Sequence, residues 1–512
     1  MSGKRLAVLT ASAFLLTAGA VQAVTPAQLA SPFFPDAGIT VEIKDVQQLI
    51  GGSRTPLEQL FSHFLLPCLK SGTDSGISAE LAKVVSCTGR LRYHPKEEKE
   101  NDEGFVWAFE LSEPLAAGRT AGFSLDALPP EGTTLQPFAR VSDKRSGEKQ
   151  DAGREDKSIY LAQMSRGEQH FLLAADNPAL LSVMAGVPDS AKTGERRISG
   201  PLWLGINIPP SEISQIVNPA LLPDLLASPL FIEAAVSGTE RSIRLNMQIS
   251  TVNNGLLQGL SSLVSGSSRE HSAPLLVGGG PLLALFSFED MLRGDGLERM
   301  RTDIDGWLRE SGLSLDDLKA LLKGRITLGI SGTTSTLLGS FPGIYLHLSG
   351  ANNRVCSALM KQFAQGASES QIKTEPFSTG RWKGFRTGGW SVLSGYAAAA
   401  EDGGLVVGIQ NSSELSGTPD VPADMKDVLK GNPQLTLNVN FEKFTAELSN
   451  LIHRAGALFL NDEDKEKADA ALRAMEILGV FNLTASDEGT CEAELFVREP
   501  QFSSFLDSIA AK

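Results

Sequence analysis

The feature that most constrains the fold of this chain is a succession of patterns that it carries twice. Residues 318–332, "LKALLKGRITLGISG", run from an amphipathic helical stretch through Lys-Gly-Arg into strand-like alternation. Nearer the start, "LAKVVSCTGRLRYHP" follows the same course, with Gly89 where the later stretch has Gly324. Such self-similarity outranks any local reading, because a missed repeat spoils the whole fold assignment.

Three modules recur in one order. The first turns from strand into helix, at "AGITVEIKDVQQLI" (37–50) and "GPLLALFSFEDMLR" (280–293). More helix follows each, with Ser78 and Ser314 placed as caps and Gly89 and Gly324 as terminators. A further strand comes next, "FVWAFELS" or "GIYLHLSG". The second module is a hairpin: "IYLAQMSRGEQHFLLAADN" (159–177) matches "GYAAAAEDGGLVVGIQN" (395–411), Tyr160 with Tyr396 and Asn177 with Asn411. Arg166-Gly167 and Asp402-Gly403 are residues that hairpin turns select. The third opens on "GPLWLGINIPPSEI" (200–213) and "GNPQLTLNVNFEKF" (431–444), and closes on "IEAAVSGTERSIRLNMQIS" and "VFNLTASDEGTCEAELFVR".

The strands alternate apolar and polar, as in antiparallel sheets with one packed face and one wetter face. The expected fold is α+β: a tandem duplication of a domain whose antiparallel sheets are covered by helices. Residues 24–265 make the first copy, the Ser- and Gly-rich stretch 266–279 a linker, and 280–512 the second copy. The charged stretch 142–158, "SDKRSGEKQDAGREDKS", holds no apolar residue larger than Ala and reads as a surface loop.

Residues 1–23, "MSGKRLAVLTASAFLLTAGAVQA", have the three parts of a secretory signal: basic Lys4 and Arg5, an apolar centre, and Val21-Gln22-Ala23 as a cleavage site. The expectation is an exported protein, periplasmic or extracellular, with no integral membrane segment once the signal is removed. The uncharged stretch 326–353 is interrupted by Ser, Thr, Gly and Pro and reads as a hairpin rather than a span. A formal charge of −14 argues against nucleic acid as a partner, since that needs a concentrated basic face.

Recognisable catalytic equipment is sparse. The six histidines are scattered, with no pair at metal-ligand spacing, so neither a metal nor another cofactor is expected. Ser146-x-x-Lys149 and Lys192-Thr193-Gly194 have the residue types of a serine acylase, but Ser146 sits in the charged loop rather than at a buried helix start. No catalytic residue is assigned. Trp107, Trp203, Trp307 and Trp390 read as core residues. Cys68 and Cys87 flank one expected helix and form a disulfide candidate, closing a loop worth about 3 kcal/mol in the chain-entropy view.

These features favour an exported bacterial cell-envelope protein with a non-enzymatic binding or scaffolding role. It would hold an apolar ligand or a segment of a partner envelope protein. The expected lining is the alternating residues shared by both halves: Leu204, Ile206 and Ile208, with Leu435, Leu437 and Val439. The competing class is a hydrolase whose site is assembled from distant segments.

Overall fold

The computed structural model describes residues 24–33, 38–51, 54–65, 83–92, 104–114, 125–127, 136–142, 158–188, 191, 196–209, 229–251, 282–287, 301–336, 339–387, 394–410, 412–416, 435–454, 461–485 and 490–510. The signal, the linker, Ser78 and Cys68 lie outside the described residues. Two compact units emerge, Met1–Gly52 with Phe61–Pro209, and Ser53–Leu60 with Pro210–Lys512.

The first unit runs α1 (Pro26–Ala30), β1 (Gly38–Ile43), α2 (Val46–Gly51), β2 (Val84–Leu91), β3 (Phe105–Leu111), β4 (Leu125–Ala127), β5 (Gln136–Ser142), β6 (Ser158–Arg166), β7 (Gln169–Ala175), α3 (Pro178–Gly186) and β8 (Leu202–Ile208). Its strands pair antiparallel in the order β8-β1-β2-β3-β7-β6-β5-β4. Thr25 caps α1 in a reciprocal box with Gln28, and Asn177 caps α3 by accepting from the Ala179 amide. Both helices then lay apolar residues on one sheet face: Leu29, Leu181 and Met184 pack with Val106, Phe171 and Leu173.

The second unit runs β9 (Leu230–Gly238), β10 (Ser242–Thr251), β11 (Leu282–Ser287), α4 (Arg301–Ser311), α5 (Leu315–Lys323), β12 (Arg325–Thr336), β13 (Gly339–Leu348), α6 (Asn353–Glu369), β14 (Thr374–Thr379), β15 (Trp382–Thr387), β16 (Gly395–Ala400), β17 (Leu405–Ile409), β18 (Leu435–Asn440), α7 (Phe441–Arg454), α8 (Asp462–Glu476), β19 (Leu478–Ala485), β20 (Thr490–Val497) and α9 (Gln501–Ala510). Its strands follow the order β9-β10-β20-β19-β18-β11-β12-β13-β17-β16-β15-β14, again antiparallel throughout. The run from β18 to β14 has the connectivity of β8 to β4, strand for strand. The register is not identical: Tyr160 stands opposite Ala175, two residues before Asn177, whereas Tyr396 stands opposite Gly408, three before Asn411.

The structure corrects the expected fold class. It is mostly antiparallel sheet with short helices, rather than an α+β fold in which helices cover the sheets. Part of the reason lies at Gly89. The stretch before it read as helix with Gly89 its terminator, yet β2 begins at Val84 and runs through Gly89. β-branched Val84 and Val85 suit a strand, and the Trp107 ring lies where a Cβ on Gly89 would sit, 2.4 Å away. The later counterpart behaves as read. Ser314 and Asp317 form a reciprocal cap on α5, and Gly324 ends it. Gly324 approaches Gly350 so closely that a Cβ there would fall 2.1 Å from the Gly350 nitrogen.

Several helices pack on the second sheet: α7 lies against β13, β18 and β19, and Phe502 and Leu506 of α9 pack with Val497 of β20. Leu308 of α4 and Val355 and Cys356 of α6 pack with Leu348 and Leu405, and Leu315, Leu318 and Leu321 of α5 join them. Among the described residues no helix is long and apolar enough to cross a membrane.

Candidate functional site

Alternation gives each strand two faces, and pairing joins like faces across the sheet. In the second unit the register can be followed strand by strand. Val236 of β9 faces Leu245 of β10, which faces Ala493 of β20, which faces Leu483 of β19. Leu483 faces Leu437 of β18, then Ala284 of β11, Leu328 of β12, Leu346 of β13 and Val407 of β17. Every member of this row is apolar. At about 4.8 Å between strands, nine strands make a row of about 40 Å. A parallel row through Ile243, Leu495, Phe481, Val439, Leu282, Ile330 and Ile344 is apolar as well.

The opposite face is the more buried one and mixes polar with apolar residues, since Leu283, Leu285, Tyr345 and Val406 are buried there too. His347, Thr327, Leu285, Thr436 and Thr484 stand side by side in one row, and Asn438 and Asn482 neighbour each other in the next. Thr327 and Thr436 are fully buried, and Asn438 donates to Asn482 Oδ1 at 2.7 Å. By contrast, on the apolar face Leu245, Leu328, Ile344 and Leu346 are 37%, 38%, 40% and 36% exposed. Most of their row neighbours, Leu437 and Leu483 included, are half-buried. A sheet ordinarily hides its large aliphatic residues, so the exposure of these four stands out. Leu328, Ile344 and Leu346 adjoin one another on β12 and β13, and an exposed apolar patch of this kind marks interaction sites.

The buried polar row deserves a chemical test of its own. Among the described residues, Thr327 Oγ1, Thr436 Oγ1 and His347 Nδ1 have no hydrogen-bond partner. His347 is held neutral, its pKa lowered to about 4, first by burial and then by the Arg381 charge, and its ring meets Trp382 edge-on at 5.7 Å. A neutral imidazole beside a hydroxyl has the ingredients of a base and a nucleophile. Yet Thr327 is fully buried and His347 nearly so, which leaves a substrate no approach. Among the described residues no group of three or more His, Cys, Asp or Glu is placed to hold a metal ion. A polar groove of about 490 Å³ lies elsewhere, lined by Glu442, Thr445, Ser449, Glu476 and Arg498.

The expected lining residues fall as follows. Leu435, Leu437 and Val439 are half-buried and alternate on β18 with buried Thr436 and Asn438, which puts them on the apolar face. Leu204 and Ile206 likewise alternate with buried Trp203 and Gly205, and stand opposite Val41 and Ile39 of β1. Ile208 lies half-buried just past the β1 register. On the other face of β8, Arg196 stacks on Trp203 at 4.7 Å and pairs with buried Glu42. The most exposed members, Leu245, Leu328, Ile344 and Leu346, were not singled out from sequence. Their signal was present in the alternation of "SIRLNMQIS", "RITLGISG" and "GIYLHLSG", which does not say which face is left open.

Cys87 is a buried free thiol whose pKa is pushed up to about 12 by burial, and its expected partner Cys68 is outside the described residues. Cys87 should therefore resist alkylation at pH 8 until the protein is unfolded, since the thiolate is the reactive form. Labelling of Cys87 in the folded protein at the rate of a free thiol would contradict this environment.

Comparison of the chain with protein-family models, curated proteins and solved structures finds no match.

Proposed function

We propose that this is an exported bacterial cell-envelope protein with a non-enzymatic scaffolding role, which docks an amphipathic segment of another envelope protein on the apolar face of its second-unit sheet. The observation that carries the proposal is the exposed cluster of Leu328, Ile344 and Leu346, large aliphatic side chains that lie 36–40% exposed on neighbouring strands of one face. The open face also favours the kind of occupant. A ligand lying on a pleated sheet is covered on one side only, so its outer side must tolerate water. An amphipathic helix or strand does so, whereas a bare acyl chain would remain half wet. The secretory pattern of residues 1–23 supports the compartment, and the repeated strand order supports descent from a duplicated unit.

A paired measurement tests the working surface. Replacing Leu328 and Leu346 by Ser should cost about 1 kcal/mol of stability each, because neither side chain is fully buried. The same double variant should lose most of the protein's binding of an anilinonaphthalene sulfonate dye, while Val183→Ser on α3, at a 51% exposed position, should not. Losses of several kcal/mol, with dye binding unchanged, would make these residues core and remove the surface.

A further inference from the structure

We infer that the β10–β20 pairing is a two-fold contact of the kind that joins two copies of a chain, made here within one chain, and that Arg244 is what assigns β20 to β10. The strand order β9-β10-β20-β19 is palindromic: two hairpins, separated by more than two hundred residues, meet through their second strands. The antiparallel register contains seven pairs, Ser242↔Phe496 to Gln248↔Thr490, with Leu245↔Ala493 at its centre. An antiparallel contact about a central pair has a local two-fold axis there, as isologous dimers do. Such a contact carries a hazard, because β20 of a second molecule could take the place of β10.

Charge separates the two outcomes. Within the chain, Arg244 faces Glu494 and Asn246 faces Glu492. Arg244 Nε donates to Glu494 Oε1 at 2.7 Å, and Ser242 Oγ donates to the same oxygen at 2.6 Å. If β20 instead paired with another β20 about Ala493, Glu492 would face Glu494 twice, and like charges directly opposite destabilise a strand pair. β20 thus accepts its own chain's hairpin and repels a second copy's. Glu494 is largely covered, with 23% of its side chain exposed, so the pair is less screened than a fully exposed one.

Three variants of the full chain test this, followed by amide hydrogen exchange and by mass from light scattering. Arg244→Glu should speed exchange in 243–248 and 491–496 by about tenfold or more. The charge exchange Arg244→Glu with Glu494→Arg should restore most of the protection. Arg244→Glu with Glu492→Arg makes a β20–β20 contact complementary at both ends, and should double the mass of the parent as concentration rises. A charge-exchanged protein that exchanges as fast as Arg244→Glu, or a third variant that keeps the parent's mass, overturns the inference. Loss of fold in Arg244→Glu alone does not rescue it, since the charge-exchanged protein must still recover.

Discussion

Trp382→Ala should lower the free energy of unfolding by about 3–5 kcal/mol. Trp382 is only 1% exposed and sits in the core formed by Tyr345, Tyr396, Ala398, Val406 and Leu415. Its ring also covers His347, with the Arg381 guanidinium 5.0 Å above its centroid. Truncation removes the whole indole and leaves a cavity that a pleated sheet cannot collapse to fill. Trp382→Phe keeps a ring in the site and should cost distinctly less. Denaturant unfolding of the three proteins measures this directly. A loss below about 1.5 kcal/mol for the Ala variant would mean that the surroundings close over the gap, and that this end of the sheet is not a packed core.

Acid should destabilise the protein through His347. Its folded pKa is lowered from 6.5 to about 4, so above pH 6.5 both folded and unfolded states hold it neutral and it contributes no pH dependence. As pH falls from 6.5 towards 4, the unfolded chain takes up a proton that the folded protein refuses. Stability is therefore lost progressively through that window and levels off below it, by about 3 kcal/mol in all. Carboxylates titrate over part of the same range, so the measurement is a difference. His347→Leu should flatten the stability curve between pH 6.5 and 4 relative to the parent. Parallel curves for the two proteins would place the His347 ring in contact with water.

Much of the local structure was legible in the sequence, because hairpin chemistry and caps act over a few residues. Gly167 and Gly403, read as turn residues, have positive φ at their turns, and Ser314, Asp317 and Gly324 bound α5 as their types suggest. Two things were hidden. Short apolar stretches such as the one before Gly89 do not separate helix from buried strand, and the Trp107 ring that explains Gly89 arrives from a later strand. The choice of partner strand was hidden as well. Nothing near β10 in sequence says that it will pair with β20, since that preference rests on residues such as Arg244 and Glu494 that meet only in the fold. The candidate surface was half legible for a related reason. Period-two alternation marks Leu435, Leu437 and Val439 as one face, but either face can be the covered one. Here the covered face holds Thr327, Thr436, Asn438 and His347.

The central claim is that the apolar face of the second-unit sheet is the working surface and that a protein segment occupies it. Site-specific photo-crosslinking in intact cells tests it most directly, with a photoreactive phenylalanine analogue at position 328 or 346, and at position 183 as an exposed control. The account predicts that 328 and 346 crosslink to one and the same protein band, that Ile344→Ser weakens it, and that position 183 gives no such band. Crosslinks from 328 and 346 that add only a lipid's mass, or a pattern shared with position 183, would contradict it.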